Sequence, residues 1–232
     1  MDKVGKYTLE IMNEASWYNN WLFALIKPHL AGDILEIGAG IGNFTELLTE
    51  NITDPNVIYA TDKSREYVSE LTKKYKDKAK IAVGDIEANN NFFNGKKFDA
   101  IICLNVLEHI KEDDEALKNM FTLLKKHGKL ILLVPAHKIL FSDFDKLLGH
   151  WRRYDKKLLG RKLSSVGLKR VLLRYINFSS AFGWLIFLKF TKWREIPKKQ
   201  LGIFDFFGKI FLWPENFIEP PFGLSVLAIY EK

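Results

Sequence analysis

The sequence predicts an α/β fold, a doubly wound, seven-stranded and mostly parallel sheet with helices on both faces. Three observations carry this. Short apolar runs alternate with amphipathic helical stretches; the runs are apolar at consecutive positions rather than at every second one; and the first run ends in a cluster of glycines, "LEIGAGIG". Strands apolar on both faces belong to a parallel sheet covered on both sides. Glycines crowded at a strand end supply positive φ angles or let a ligand lie against the backbone where a Cβ would collide.

The elements follow in order. The segment before the first strand, residues 1–31, holds one or two helices around "SWYNNWLFALIKPHL" and is expected to cap the site. "GDILEIGAG" is the first strand and its turn, and "NFTELLTE" the helix after it. "NVIYATD" is a strand ending in Asp62, followed by the helical "SREYVSELTKKYKD"; "AKIAVGD" is a third strand ending in Asp85. "FDAIICLNV", the helix "EDDEALKNMFTLLKKHG" and the strand "KLILLVPA" complete the regular part. Beyond Ala136 the rhythm changes. Residues 137–167 are expected to cover the site, "LKRVLLRY" is the sixth strand, and "LSVLAIYEK" is an antiparallel last strand. Between these two lies an insertion, residues 176–223, with ten Phe and three Trp, expected to be helical.

Composition narrows the function classes. A chain of 232 residues, 47% hydrophobic, forms one domain with a real core and is not a disordered segment. The single cysteine, Cys103, excludes a disulfide framework and a thiolate zinc site, and fits a reducing compartment. The N-terminal residues lack the pattern of a secretory signal, so a cytoplasmic location is expected. A net charge of +7 suits nucleic acid or anionic lipid equally.

The glycine motif has acidic company. Glu36 precedes Gly38, Ala39, Gly40 and Gly42, and Asp62 ends the next strand, where a carboxylate can accept both hydroxyls of a ribose. A P-loop is excluded because no GKS or GKT follows. A dinucleotide site wants GxGxxG where this chain has GxGxG, which leaves NAD-dependent oxidoreduction as the weaker alternative.

"LEIGAGIG" followed by "YATD", "VGD" and "LNVLEHI" resembles the class I S-adenosylmethionine-dependent methyltransferases, over roughly Gly32 to Ala136 and less closely beyond. The resemblance implies S-adenosyl-L-methionine as cofactor. Glu36, Gly38, Ala39, Gly40 and Gly42 would surround its methionine part, and Asp62, with Lys63 beside it, would hold the ribose. Asp85 and Ile86 would flank the adenine, and Asn105 and Val106 would line the sulfonium side. The cofactor carries a sulfonium and an ammonium and no pyrophosphate, so an acidic pocket suits it where a phosphate site would be repelled. A scaffold that binds the cofactor and catalyses nothing is the alternative from another class.

Methyl transfer to a hydroxyl or amine needs loss of a proton, and His109 stands where the pocket opens. Glu108 beside it reads as a helix N-terminal acid; Asp113 or Asp114 reads as a cap, and Glu112 and Glu115 as solvated. The stretch "AHKILFSDFDKLLGHWRRY" resembles a small-molecule, "type 12" subset of the family, in which a GHxRRY segment folds over the pocket. Alternation would bring His150, Arg152 and Tyr154 to one side as substrate-facing groups and turn Arg153 toward Asp145. His137, Asp143, Asp145 and His150 match no compact ligand motif and have arginines beside them, so no metal is expected.

In the insertion, Lys189, Lys192, Arg194, Lys198 and Lys199 separate two aromatic stretches. Such segments lie on an anionic membrane surface, cover a greasy substrate, or form an oligomer interface. The first is the expectation adopted: a peripheral membrane enzyme acting on a small-molecule, lipid or lipid-linked acceptor. Nucleic acid is disfavoured, because the basic residues mingle with aromatic bulk instead of lining a groove, and no NPPY or DPPY motif follows the fourth strand.

Overall fold

The computed structural model describes residues 3–54, 57–88, 91–178 and 212–232. Most of the aromatic insertion, with Trp184, Trp193 and the five basic residues named above, lies outside the described residues, as does its expected helical structure.

Two helices, α1 (Lys3–Glu14) and α2 (Ser16–Ile26), precede β1 (Ile34–Ile37). Then follow α3 (Asn43–Asn51), β2 (Ile58–Asp62), α4 (Arg65–Tyr75), β3 (Lys80–Val83), β4 (Phe98–Leu104), α5 (Asp113–Leu123) and β5 (Leu124–Pro135). The chain ends with α6 (Asp143–Leu147), α7 (Lys156–Ser165), β6 (Lys169–Ile176) and β7 (Ser225–Glu231). The sheet order is β3-β2-β1-β4-β5-β7-β6. Strands β1 to β5 pair in parallel, and β7 enters antiparallel between β5 and β6.

Each central strand feeds two cores. Leu35, Ile37, Ile101, Cys103, Leu130 and Leu132 pack on the face covered by α5 and α7, through Leu117, Met120, Leu159 and Leu163. Their alternates Ile34, Ile58, Ala60, Ile102, Ile131 and Leu133 pack on the face covered by α2, α3 and α4. Burial of both faces is why these strands read as unbroken apolar runs. It also raises the Cys103 thiol far above its ordinary range.

One boundary differs from the expectation. The helix expected to run to Gly128 stops at Leu123, and "LKKHG" opens β5. Leu124 pairs with Phe98, and the pairing then jumps to Lys129 against Ala100. The irregularity is built around His127, at φ 65°. Its amide donates to the Lys232 carbonyl (2.9 Å), and Lys232 donates back to Gly128 (3.0 Å). These long-range bonds override a good local helix pattern.

The topology fixes where a ligand belongs. Leaving β1, the chain winds outward through β2 and β3 and returns to β4 on the other side of β1. At such a reversal the loops after β1 and β4 diverge and leave a crevice at their carboxyl ends.

Candidate active site

The first wall of the crevice is the turn after β1. Gly38 takes φ +73°, with its amide and that of Ala39 donating to the Thr61 carbonyl at 2.8 and 3.0 Å. A Cβ at Gly38 would stand 2.4 Å from Val106 on the loop after β4. The two loops meet only because that atom is missing. Gly40 faces Leu9 of α1, and Asn43 donates to the Leu9 carbonyl, so α1 lies over the turn. Gly42 begins α3 at φ +95°, and a Cβ there would fall 2.8 Å from Leu71 and 2.9 Å from Tyr75. Its contacts are therefore with α4 packed behind the turn.

Two acids anchor this wall. Asp62 is buried and accepts from the amides of Gly40 (2.9 Å) and Ser64 (2.8 Å), one on each oxygen. It shapes the glycine turn before it meets any ligand, and each oxygen keeps a lone pair for one. Glu36 is buried, its carboxylate accepting from the Thr45 hydroxyl at 2.6 Å. Burial pushes its carboxyl up to about 8, and the Asp62 charge adds to this. No cation forms an ion pair with it among the described residues. Lys63 and Asp85 are exposed, Ile86 is buried with its carbonyl accepting from Asn119, and Asn105 is exposed at φ +54°. These residues follow the carboxyl ends of β2 to β4, the edge of the sheet at which the crevice opens.

The second wall is the short 3-10 turn Leu107–His109 with the segment that folds over it. The amide of Trp151 donates to the Glu108 carbonyl at 2.8 Å, and Ala136 bridges to Tyr154. Ser142 and Asp145 cap α6 reciprocally. Asp145 is also the anchor of the segment. Arg153 grips it from Nε (2.8 Å) and Nη2 (3.1 Å), and His150 Nδ1 lies 3.0 Å from it. Although burial opposes ionisation, these partners hold the Asp145 carboxyl down at about 2.

Arg153 therefore turns toward Asp145 as expected, but the grouping of His150, Arg152 and Tyr154 does not hold. His150 shares Asp145 with Arg153 and meets His109 edge-to-face, ring centroids 4.6 Å apart. Arg152 and Tyr154 instead converge on Asp113, at 2.6 and 2.8 Å, and Lys162 joins them at 3.0 Å. Tyr154 is fully buried, its hydroxyl pushed up first by burial and then by the Asp113 charge. Extended-chain alternation fails because the segment is bent by α6 and a bridge to β5.

One acid departs from the sequence reading, and Glu108, in the first turn of its 3-10 helix, is more buried than that reading implied. Asp113 is no cap: Glu112 stands at the N-cap of α5 without a capping side chain, and Asp113 is a buried hub for three donors. Glu108 is 1% exposed, and burial pushes its carboxyl up to about 8. His109 is pushed down to about 4, first by burial, then by the charges of His150 and Lys63. The metal set weighed from sequence does not assemble. His137 stacks on Tyr175, and Asp143 pairs with Lys146 at the surface. Thr45 and Lys162 had no sequence signal: Thr45 returns to Glu36 only through the turn between β1 and α3, and Lys162 reaches Asp113 from α7.

The comparisons with known proteins agree with this geometry. Residues 35–132 match the family model described as Methyltransferase domain. A highly reducing polyketide synthase, PKS6, of Gibberella zeae is 31% identical over 143 residues, 56% of this chain and 6% of the synthase. The ubiquinone/menaquinone biosynthesis C-methyltransferase UbiE of Wigglesworthia glossinidia brevipalpis is 28% identical over 134 residues, 56% of this chain and 53% of that protein. This chain therefore spans only part of the length of either relative. In fold it is similar to an S-adenosylmethionine-dependent methyltransferase of Thermotoga maritima, with a TM-score of 0.65 at 17% identity over 99% of this chain and 95% of the other.

Residues 35–132 thus match a methyltransferase domain, and the fold is shared with S-adenosylmethionine-dependent methyltransferases, which makes S-adenosylmethionine the cofactor against which the cleft is tested. The residues fit that molecule. Glu36 is a buried carboxyl with no ion pair among the described residues, and a cationic cofactor would supply the complementary charge.

Proposed function

We propose that this chain transfers the cofactor's methyl group to a small-molecule, lipid or lipid-linked acceptor with an apolar body and a polar head, at or near an anionic membrane surface. The observation that carries the acceptor class is the concentration of thirteen Phe and Trp in residues 176–223. At its described end, Trp213, Phe217 and Ile218 are 61%, 73% and 68% exposed. The polyketide synthase and quinone-biosynthesis relatives support a small-molecule acceptor over nucleic acid. No described helix is long and apolar enough to cross a membrane. Attachment would therefore be through surface aromatic and basic side chains.

Methyl transfer from a sulfonium is an in-line displacement, so the protein's part is positioning and exclusion of water. Asp62 and the glycine turn hold the ribose and methionine portions, Asp85 and Ile86 flank the adenine, and Asn105 and Val106 border the sulfonium. Glu36, ionised on binding, balances the positive charge. His109 and His150, facing each other at the mouth, meet the acceptor's head. Arg152 and Tyr154 act as positioning residues by fixing Asp113 and with it the start of α5. The GHxRRY segment as a whole covers the pocket, as in the subset it resembles.

The test supplies methyl-labelled cofactor with extracted lipid, saccharide and small-molecule pools, with and without anionic vesicles. Label entering the lipid fraction, increased by vesicles, is expected. Label confined to water-soluble products overturns the lipid part, and cofactor binding without any transfer favours the scaffold.

A further inference from the structure

We propose that Glu108, His109 and His150 bind one divalent transition-metal ion of the zinc class, with a fourth position left for an oxygen of the acceptor. The last clause rests on the acceptor reading above; the metal site itself does not.

A carboxylate oxygen of Glu108 and one ring nitrogen from each histidine lie within 4.8 Å of one another. Ligand atoms bound roughly 2.1 Å from a single zinc ion sit roughly 3.4 Å apart, so side-chain shifts of about an ångström would close the set. Two imidazoles with one carboxylate and an open position is the donor set of hydrolytic zinc centres and suits several other divalent transition metals.

The proton positions favour the same use. A metal-binding histidine presents a lone pair on one nitrogen and donates the other N–H to a carboxylate or carbonyl. The His150 ring is arranged so. Asp145, held ionised by Arg153, faces His150 Nδ1 at 3.0 Å, which puts a proton on that nitrogen and leaves Nε2 to ligate. The His109 ring meets that of His150 edge-to-face, ring centroids 4.6 Å apart.

Glu108 supplies the independent observation. Its Oε2 is buried with no hydrogen-bond partner, and the side chain is 1% exposed. A buried carboxylate in that state is costly. The nearby acids are already matched: Asp145 by Arg153, and Asp113 by Arg152 and Lys162. Arg153 acts on Glu108 through its charge and hydrogen-bonds Asp145 and the Ala136 carbonyl, while Glu108 Oε2 has no hydrogen bond. A cation between Glu108 and the two histidines completes both the charge and the coordination. The site lies directly after Val106, the residue against Gly38, and so borders the cleft where the methyl group would be presented.

The experiment uses the full chain without an affinity tag, stripped by chelator and titrated with Co²⁺ and then Zn²⁺. One equivalent of Co²⁺ should give visible d–d absorption that Zn²⁺ abolishes, and Zn²⁺ should raise the melting temperature. Glu108→Gln, His109→Ala and His150→Ala should each weaken Co²⁺ binding at least tenfold, and Asp145→Asn about tenfold or more through His150. Glu108→Gln keeps the side chain's size and introduces no charge, so its metal-free form should melt close to the parent while losing the Zn²⁺ shift. A parent protein that binds S-adenosylmethionine yet shows neither the Co²⁺ bands nor the Zn²⁺ shift overturns the proposal. So do the three ligand variants if they bind Co²⁺ as tightly as the parent. Failure to bind S-adenosylmethionine would strike the methyltransferase reading instead and leave the metal titration readable.

Discussion

The two walls of the cleft are built in opposite ways. The wall after β1 and β2 is held by its backbone: amides of residues 38–40 and 64 converge on Thr61 and Asp62 at the ends of two paired strands, and Thr45 reaches back to Glu36. The wall after β4 is held by side chains: Arg152 and Lys162 reach Asp113 from some forty to fifty residues away, and the covering segment is itself closed by the buried Asp145–Arg153 pair. The first wall is rigid because its backbone is bonded. The second is only as rigid as its charges are paired. Damage to the first should therefore appear mainly in cofactor affinity, and damage to the second in stability.

The largest effect is expected at Arg153. Replacing it with Met strands the fully buried Asp145, and breaking a buried pair from one side costs about 3–5 kcal/mol. Urea unfolding should show this loss, and the double variant Arg153→Met with Asp145→Leu should recover most of it. A loss below about 1 kcal/mol would mean that the second wall is not held by charge pairing.

Asp62→Ala comes next and tests the first wall. It removes the ribose acceptor and also orphans the Gly40 and Ser64 amides. Cofactor affinity measured by calorimetry should fall by about 2 kcal/mol, roughly thirtyfold. Unchanged affinity would place the ribose elsewhere.

The third expectation is a proton. With its carboxyl at about 8, Glu36 is largely protonated at pH 7 in the free protein, and a cationic cofactor favours the ionised form. Binding should then release up to one proton, and affinity should rise with pH from 6 to 8. In the free protein a carboxyl raised from 4.5 stabilises the fold fully below that value, and the contribution is lost as pH climbs through 8. Calorimetry in buffers of different ionisation enthalpy reads the release, and Glu36→Gln should abolish it.

The same contrast explains what could be read from the sequence. Leu35 to Gly42, Asp62 and Asp85 announce themselves because strand period, glycine spacing and strand-end acids are all local. The fold was legible for the same reason. Asp113 looked like a cap because local sequence shows only an acid at a helix start; Arg152, Tyr154 and Lys162, which bury it, arrive from another loop and from α7. His150 went to Asp145 instead of Tyr154 because α6 and the bridge to β5 break the alternation. The β5 boundary was missed because its determinant is Lys232, over a hundred residues away.

The smallest expected effect distinguishes positioning from chemistry at Tyr154. Its hydroxyl is fully buried and donates to Asp113 at 2.8 Å, and Asp113 keeps Arg152 and Lys162 if that hydroxyl is removed. Tyr154→Phe loses one hydrogen bond to a charged acceptor but leaves the ring packed and the acid paired. Stability should drop by about 1–2 kcal/mol, with cofactor affinity unchanged. A residue that only fixes the start of α5 should alter kcat by a few-fold at most, whereas a hydroxyl touching the acceptor or passing its proton should cost a hundredfold or more. A collapse of kcat with normal stability would move Tyr154 from the frame of the second wall into the reaction itself. That outcome would also require an acceptor path to a side chain the fold now seals.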